Sequence, residues 1–206
     1  MSHCLFHRGF VRRGAFRAHV TLSFDKTCAG PLAGWGRCFE AMLLIKRGDI
    51  ATGLQGLSTA VSGLRDVGHA VYYSAMGELA EALGRAGQTA RGLATIAEAL
   101  ARSERSKERW CVAELLRIKG ELIVSEDTAG AAAAAEDCFL QALDWARRQQ
   151  TLSWALRIAT PLASLWGAQH RVAEARELLN SIYDRFTEGF GTPDLVRAKA
   201  LLERLA

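Results

Sequence analysis

The sequence predicts an all-α protein folded as a helical-repeat solenoid, with about four helix pairs and a C-terminal capping helix. Alanine and leucine dominate its 206 residues, and only 3 prolines and 8% aromatic residues occur, a composition that favours helices over strands. Apolar residues recur at helical spacing along most of the chain. Similar landmarks also return at nearly constant intervals, which indicates a repeat protein.

The charge distribution argues against a nucleic-acid-binding body. The net charge of +4 comes from residues 1–30, which hold five basic residues and one acidic residue, whereas residues 31–206 hold 21 of each. A nucleic-acid groove normally shows as a basic excess. No apolar run reaches the length of a transmembrane helix, and no segment matches a secretory signal. We therefore expect neither nucleic acid nor a membrane as the main partner.

The five cysteines are odd in number, and they stand far apart in the sequence. This usage indicates reduced thiols in a cytoplasmic protein rather than a disulfide framework. His3, Cys4 and His7 are close enough to suggest a metal, but no second group of ligands accompanies them, so we predict no metal site. Cys111 and Cys138 are interpreted as core thiols.

Residues 1–30 differ in character from everything after them. They are rich in arginine, and their four phenylalanines follow neither a helical nor a strand period. Three interpretations stay open: a basic arm for nucleic acid or an anionic membrane, an organelle targeting peptide, and a poorly ordered leader. We expect the repeat domain to span residues 31–206.

Four helix pairs follow in order, and each carries a shared landmark. Gly48 and Gly87 mark the turns of the first two pairs and stand 39 residues apart. Ala99 in the second pair, Ala142 in the third and Ile182 in the fourth give steps of 43 and 40 residues. The longer step falls in a loop within the third pair, where an insertion costs little.

The third pair shows the clearest helical periodicity of its apolar residues. Its first helix is predicted to place Trp110, Leu116 and Leu122 on an apolar face, and its second helix Phe139 and Leu143. These faces predict two helices folded back on each other.

Small residues recur at two places in every pair, and they predict close helix packing. In the first helices they are Ala41, Ala80, Gly120 and Ala163, and in the second helices Gly53, Gly92, Ala135 and Ala175. Such residues let helix axes approach to about 8 to 10 Å. Larger residues fill the grooves between neighbouring pairs: Leu57, Ile96, Phe139 and Leu179.

Pro161 falls inside the helical pattern of the fourth pair. A proline there removes a backbone hydrogen bond, so we predict either a kink near residues 157–160 or a helix that begins again at Pro161.

A single helix is predicted to close the chain. Thr192 is a natural N-cap, and Pro193 suits the first helical position. Four charged residues are available for the outer face of this cap: Arg197, Lys199, Glu203 and Arg204.

The repeat pattern resembles the tetratricopeptide repeat, whose signature places small residues at these positions with an aromatic residue or leucine between them. The units here, at 39 to 43 residues, are longer than the 34-residue consensus. The resemblance implies a right-handed solenoid in which the first helix of each pair lines the concave surface.

Residues 91–124, 135–166 and 173–205 carry a more specific resemblance. They look like the C-terminal tetratricopeptide region of large bacterial proteins, in which a class III adenylate/guanylate cyclase or a winged-helix DNA-binding domain is followed by a predicted ATPase. The ending FTEGFGTPDL at 186–195 is the most specific part. The resemblance implies cytoplasmic signal transduction, with the repeats sensing or scaffolding.

No catalytic role carries over from that family. The sequence has neither a GxxxxGK phosphate-binding loop nor a cyclase catalytic segment, so we predict that this chain is not an enzyme. It is interpreted as a fragment of a longer regulator.

The tetratricopeptide register implies a candidate binding face. Six charged residues of the first helices would point into the concave groove: Glu81, Arg85, Glu114, Arg117, Glu121 and Arg157. They could hold a peptide or a neighbouring domain through charge-assisted hydrogen bonds. The alternative is a solvated face held by i, i+4 pairs, Glu81 with Arg85 and Arg117 with Glu121.

We therefore predict a non-catalytic scaffold that binds protein and needs no cofactor or metal. The alternative function is a nucleic-acid-binding helical repeat that uses the basic residues 1–30.

Overall fold

The computed structural model describes residues 31–64 and 69–206. These residues form nine α-helices and no strand, so the predicted all-α class is confirmed. The helices are α1 (Pro31–Lys46), α2 (Ile50–Leu64), α3 (His69–Arg85), α4 (Thr89–Ser106), α5 (Val112–Ser125), α6 (Ala131–Arg148), α7 (Leu152–Ala168), α8 (Val172–Tyr183) and α9 (Pro193–Arg204). Residues 1–30 lie outside the described part, so the interpretations of that segment and the domain boundary stay predictions.

Consecutive helices pack as four antiparallel pairs (α1 with α2, α3 with α4, α5 with α6, α7 with α8), and α9 follows them. The first helices of the pairs (α1, α3, α5, α7), which we call the inner helices, also contact one another in succession, and α9 continues this row beside α7. Within the described residues, no Cα atoms of different second helices (α2, α4, α6, α8) lie within 8 Å of each other. Neighbouring inner helices are therefore closer together than neighbouring second helices, so the array curves with the inner helices on its concave side.

The turns inside the first, second and fourth pairs repeat one backbone geometry. Gly48 and Gly87 have φ angles of 97° and 74°, left-handed values that glycine adopts without a steric penalty. The residue after the glycine donates its N–H back to the helix, as Gln88 does to the Leu83 carbonyl at 2.8 Å. His170 holds the equivalent place in the fourth pair, with φ of 64°. The spacing read from the glycine landmarks is confirmed.

The small residues bring the paired helices into backbone contact, as predicted. A Cβ added at Gly53 would lie 2.9 Å from the Ala41 carbonyl oxygen, and one added at Gly92 would lie 2.9 Å from that of Ala80. At Gly120 it would meet a ring carbon of Phe139 at 2.6 Å. The predicted filling residues are fully buried: Leu57, Ile96, Phe139 and Leu179.

The core has two clusters of buried side chains that meet at α5. Leu115, Ile118 and Leu122 pack into the first cluster with residues of α1 to α4. Val112 and Leu116, on the neighbouring flank of the same helix, pack into the second cluster with residues of α6 to α9. Helix α5 therefore joins both halves of the core.

Trp110 does not occupy the core position that its spacing predicted. Helix α5 begins at Val112, and Trp110 lies in the preceding turn with 42% of its surface exposed. Its ring stacks instead on that of Trp154 of α7, with centroids 6.1 Å apart. The helical spacing was extended one turn too far toward the N-terminus, because a tryptophan beside a helix looks the same in sequence as one inside it.

Pro161 lies within α7, which continues from Leu152 to Ala168. The predicted restart of the helix at Pro161 is therefore wrong. Since proline has no N–H, it cannot donate to the carbonyl of Arg157 as an ordinary residue would. The predicted kink at residues 157–160 stays a prediction.

The predicted start of the final helix, α9, is confirmed in its position but not in its capping hydrogen bond. Thr192 is the N-cap with extended backbone angles, and Pro193 takes the first helical position, but the Thr192 side chain makes no capping hydrogen bond. Its backbone N–H donates to the Gly189 carbonyl at 2.8 Å instead. Helix α9 packs against both α7 and α8 and buries Leu195 and Leu201, so it closes the second core cluster.

Three cysteines of the described chain are buried free thiols: Cys38, Cys111 and Cys138. Burial raises the pKa of each thiol, and it raises the pKa of Cys111 to about 12.

Since only the thiolate reacts, we expect iodoacetamide to modify Cys111 at pH 8 at least about 100-fold more slowly in the folded protein than in urea. Mass spectrometry of timed digests measures this ratio, and equal rates in both states would contradict the burial of Cys111.

Candidate partner-binding groove

The inner helices and α9 border a groove with a volume of ≈ 740 Å³, which we call the inner groove. It extends from Lys46 at the end of α1 to Arg204 at the end of α9. Among described residues, its charged lining consists of six basic and three acidic side chains: Lys46, Arg85, Arg117, Arg157, Arg197, Arg204, Glu81, Glu121 and Asp194.

Five of the six residues assigned to the concave face line this groove: Glu81, Arg85, Arg117, Glu121 and Arg157. The sixth, Glu114, lies beside them in a smaller adjoining cavity and contacts both Arg117 and Arg157. The structure thus brings all six together, and a role in binding a partner stays a proposal.

Arg117 is the centre of the groove's ion pairs. Its side chain is only 5% exposed and contacts Glu114 at 2.8 Å, Glu121 at 2.7 Å and Glu81 at 3.2 Å. Its Nε also donates to the second carboxylate oxygen of Glu114 at 2.9 Å. The guanidinium therefore has carboxylates on three sides, two from its own helix and one from α3.

Burial and charge act in opposite directions on this cluster. Burial disfavours the charged form of Glu114, but the hydrogen bonds and charges of Arg117 and Arg157 outweigh it, so the pKa of Glu114 lies below its ordinary value. Burial likewise opposes the charge of Arg117, and its bonds to Glu114 with the charges of Glu121 and Glu81 outweigh it and raise the pKa of Arg117. Both groups are therefore charged at neutral pH.

Arg157 ties the cluster to the last two helices. Its Nη2 donates to Glu114 Oε1 at 2.5 Å, and its Nη1 lies 3.8 Å from Asp194 Oδ2 in the first turn of α9. Charged residues from α3, α5, α7 and α9 thus form one connected set along the floor of the groove.

One predicted pair along a helix forms and the other does not. Arg117 pairs with Glu121 at 2.7 Å, as the i, i+4 spacing indicated. Glu81 pairs with Arg117 on the next inner helix rather than with Arg85. Arg85 has no ion-pair partner in the described part of the chain, so it presents an uncompensated positive charge to the groove.

The prediction of an outer-face position in the cap is wrong for two of its four residues, Arg197 and Arg204. Both line the inner groove, because α9 continues the row of inner helices and turns one flank toward the concave side. Neither has an ion-pair partner within residues 31–64 and 69–206. The sequence signal that could have revealed them is the seven-residue spacing on one helix flank.

A second cavity of ≈ 180 Å³ adjoins the groove, and we call it the tryptophan pocket. Its lining includes Trp110 and Trp154, whose rings stack at an interplanar angle of 30°. Three carboxylate side chains also line it: Glu78, Glu81 and Glu114. Sequence reasoning missed this pocket because its two tryptophans are 44 positions apart and belong to different pairs.

The described residues include no group of three or more His, Cys, Asp or Glu side chains that could hold a metal ion. His3, Cys4 and His7 lie outside them. In the same part of the chain, no helix is long and apolar enough to cross a membrane.

No family model matches the sequence, and no curated protein matches it. Among solved structures, the chain is similar to the nearly identical TPR-like repeats of a candidate kinesin light chain from Podosopora anserina, with 17% sequence identity and a TM-score of 0.64. The alignment covers 86% of this chain and 87% of that chain. A single-substitution variant of the same protein matches with a TM-score of 0.64 and 17% identity, over 85% of each chain.

The fold is therefore that of TPR-like helical repeats. The predicted repeat architecture is confirmed by this likeness and by the succession of helix pairs. In this chain, the face formed by the first helices of the pairs carries the inner groove.

Proposed function

We propose that this chain is a non-catalytic scaffold that binds a segment of a partner protein in the inner groove. The observation that carries the proposal is the free positive charge of the groove. Each of its three acidic residues is already paired with Arg117 or Arg157, whereas Arg85, Arg197 and Arg204 have no ion-pair partner among the residues that the structure describes.

Unpaired guanidinium groups favour carboxylates in the partner. Arginine can bind a carboxylate through two parallel hydrogen bonds, which adds orientation to the charge attraction. The three arginines belong to α3 and α9, at opposite sides of the groove, so an extended acidic segment can contact both walls. We therefore propose a partner segment with several Asp or Glu residues.

A protein partner suits the groove better than a nucleic acid does. Glu121 and Asp194 share the lining with the free arginines and are 39% and 38% exposed. A continuous phosphate backbone would meet these carboxylates, whereas a peptide can place neutral or basic residues opposite them. The nucleic-acid alternative depends on residues 1–30, and binding of single-stranded DNA that requires those residues would support it.

We propose further that the chain acts in cytoplasmic signalling as the C-terminal part of a bacterial cyclase- or ATPase-linked regulator. The motif resemblance of residues 91–124, 135–166 and 173–205 supports this origin. An immunoblot of the source cells with an antibody against the repeats tests it. A band with an apparent mass much larger than that of a 206-residue protein would support the proposal, and a band at the mass of a 206-residue protein would oppose it.

Reversal of two groove charges tests the binding proposal. Arg197→Glu combined with Arg204→Glu is expected to weaken binding of an acidic peptide by at least about tenfold, since attraction becomes repulsion. Fluorescence anisotropy with acidic, neutral and basic peptides of equal length measures this effect. Arg176→Glu on α8, an exposed arginine that does not line the groove, is the matched control. Equal affinity of both variants would contradict the proposed site.

A further inference from the structure

The tryptophan pocket has an exposed aromatic surface that the proposed function does not use. Trp110 is 42% exposed although its ring stacks on that of Trp154, at 6.1 Å between centroids. Trp154 is partly buried and packs against both core clusters, so it holds the pair in place. The pocket thus combines a fixed aromatic ring with an accessible one.

The chain covers several of its other aromatic rings with its own arginines. The pairs are Arg102 over Tyr72 at 4.5 Å, Arg171 over Trp166 at 4.5 Å, Arg148 over Trp145 at 5.7 Å and Arg109 over Trp145 at 5.9 Å. Within the described part of the chain, no lysine or arginine lies over Trp110 or Trp154. Trp110, which is 42% exposed, therefore offers the side of its ring away from Trp154 to a cation from outside, which attraction to the ring's electrons would hold within about 6 Å of the centroid.

The charges around the pocket also favour a cation. Glu78, Glu81 and Glu114 line it against one basic residue, Arg157. Each of these carboxylates already has an ion-pair partner: Glu78 pairs with Lys46, Glu81 with Arg117, and Glu114 with Arg117 and Arg157. A carboxylate has about four acceptor sites on its two oxygens, so these glutamates can accept further hydrogen bonds beyond their present ones. The lining of the pocket thus holds more carboxylates than guanidinium groups, whereas α9 contributes two arginines to the inner groove that have no ion-pair partner among the described residues.

We propose that the tryptophan pocket binds a lysine or arginine side chain of the partner segment. The inference rests on the proposed function, and it adds a chemical class for one position of that segment. A volume of ≈ 180 Å³ corresponds to about six water molecules, which suits one side chain rather than a folded element. The partner would therefore carry a basic residue close to its acidic stretch.

A titration with small probes tests the pocket directly, on the full chain. The protein has five tryptophans, whose indole N–H signals are resolved by ¹⁵N–¹H NMR and assigned with single Trp→Phe variants. N-acetyl-lysine methylamide is expected to shift the Trp110 and Trp154 signals saturably, and its neutral norleucine analogue at least about fivefold less. The Trp145 and Trp166 signals should stay unchanged, since arginines already cover those rings.

Trp110→Leu is the matched variant, because Trp110 is exposed and its loss should leave the melting temperature nearly unchanged. The lysine probe should then no longer shift the Trp154 signal, whereas Phe190→Leu, which changes an exposed ring outside the pocket, should leave that shift intact. Equal shifts with the norleucine probe, or none with the lysine probe, would overturn the inference.

A second experiment distinguishes a failure of the proposed groove binding from a failure of the cation pocket. In an acidic peptide that binds the groove, replacement of its lysine by norleucine is expected to weaken binding at least about threefold. An unchanged affinity would overturn the cation pocket and leave groove binding intact, whereas acidic peptides that do not bind while the lysine probe still shifts Trp110 would overturn groove binding alone.

Discussion

Arg117→Met is expected to lower the free energy of unfolding by about 3 kcal/mol at neutral pH. Removal of one partner from a buried ion pair costs about 3 to 5 kcal/mol, because the remaining charge stays desolvated. The lower end applies here, since Glu81 and Glu121 are 41% and 39% exposed and can regain water. Glu114, at 20%, cannot do so fully and keeps only Arg157.

The same cluster predicts a pH dependence. The pKa of Glu114 is lowered in the folded protein, so its ionised form stabilises the fold. This contribution is complete above its unfolded-state pKa of about 4.3 and is lost as the pH falls through the lower folded value. Arg117→Met should therefore show a shallower loss of stability with acid than the unaltered protein.

Urea denaturation at pH 7 and at lower pH measures both effects. Arg148→Met is the control: Arg148 pairs with Asp144 on the exposed side of α6, with the two side chains 65% and 53% exposed. An exposed pair contributes less than about 1 kcal/mol. If Arg148→Met were as costly as Arg117→Met, the cluster would have no special role in stability.

Gly53→Ala is expected to lower the free energy of unfolding by about 1 to 3 kcal/mol, the usual cost of overpacking. The added Cβ would lie 2.6 Å from Ile45 Cγ1 and 2.9 Å from the backbone of both Ala41 and Ile45. A side chain can rotate away, but the backbone of α1 can yield only if the two helices separate. The cost of that separation exceeds the gain in helix propensity.

Gly63→Ala makes the same substitution on the same helix, but we expect it to raise the free energy of unfolding rather than lower it. An added Cβ at Gly63 meets no described residue within 4 Å, so only the propensity gain of roughly 0.5 to 1 kcal/mol remains. Thermal melts of both variants give the comparison. Two changes of the same sign would mean that helix propensity, and not the contact of α1 with α2, decides the outcome at Gly53.

The helix pairs could be predicted because their signals are local. Glycines with left-handed backbone angles end the inner helices at Gly48 and Gly87, and apolar periodicity marks the buried side of each helix. Phe139 opposite Gly120 was predictable for the same reason, since a large and a small residue on paired helices must share one volume. Trp110 was misplaced because periodicity does not state where a helix begins.

The candidate site was predictable only in outline. The register of the inner helices placed six charged residues on one face, and the structure brings all six together. Arg197 was missed because the side of α9 that faces the groove depends on how the cap packs on α7. The tryptophan pocket was missed because Trp110 and Trp154 meet only when consecutive repeats stack.

The sequence by itself determined the class of the fold, the number of helix pairs and the positions of close packing, because these follow from composition, periodicity and residue size. Only the tertiary structure decided which charges pair. Glu81 could bind Arg85 on its own helix or Arg117 on the next one, and it binds Arg117. Arg117 is buried, where the lower dielectric strengthens each ion pair, so it draws the carboxylate, and Arg85 has no ion-pair partner among the residues that the structure describes.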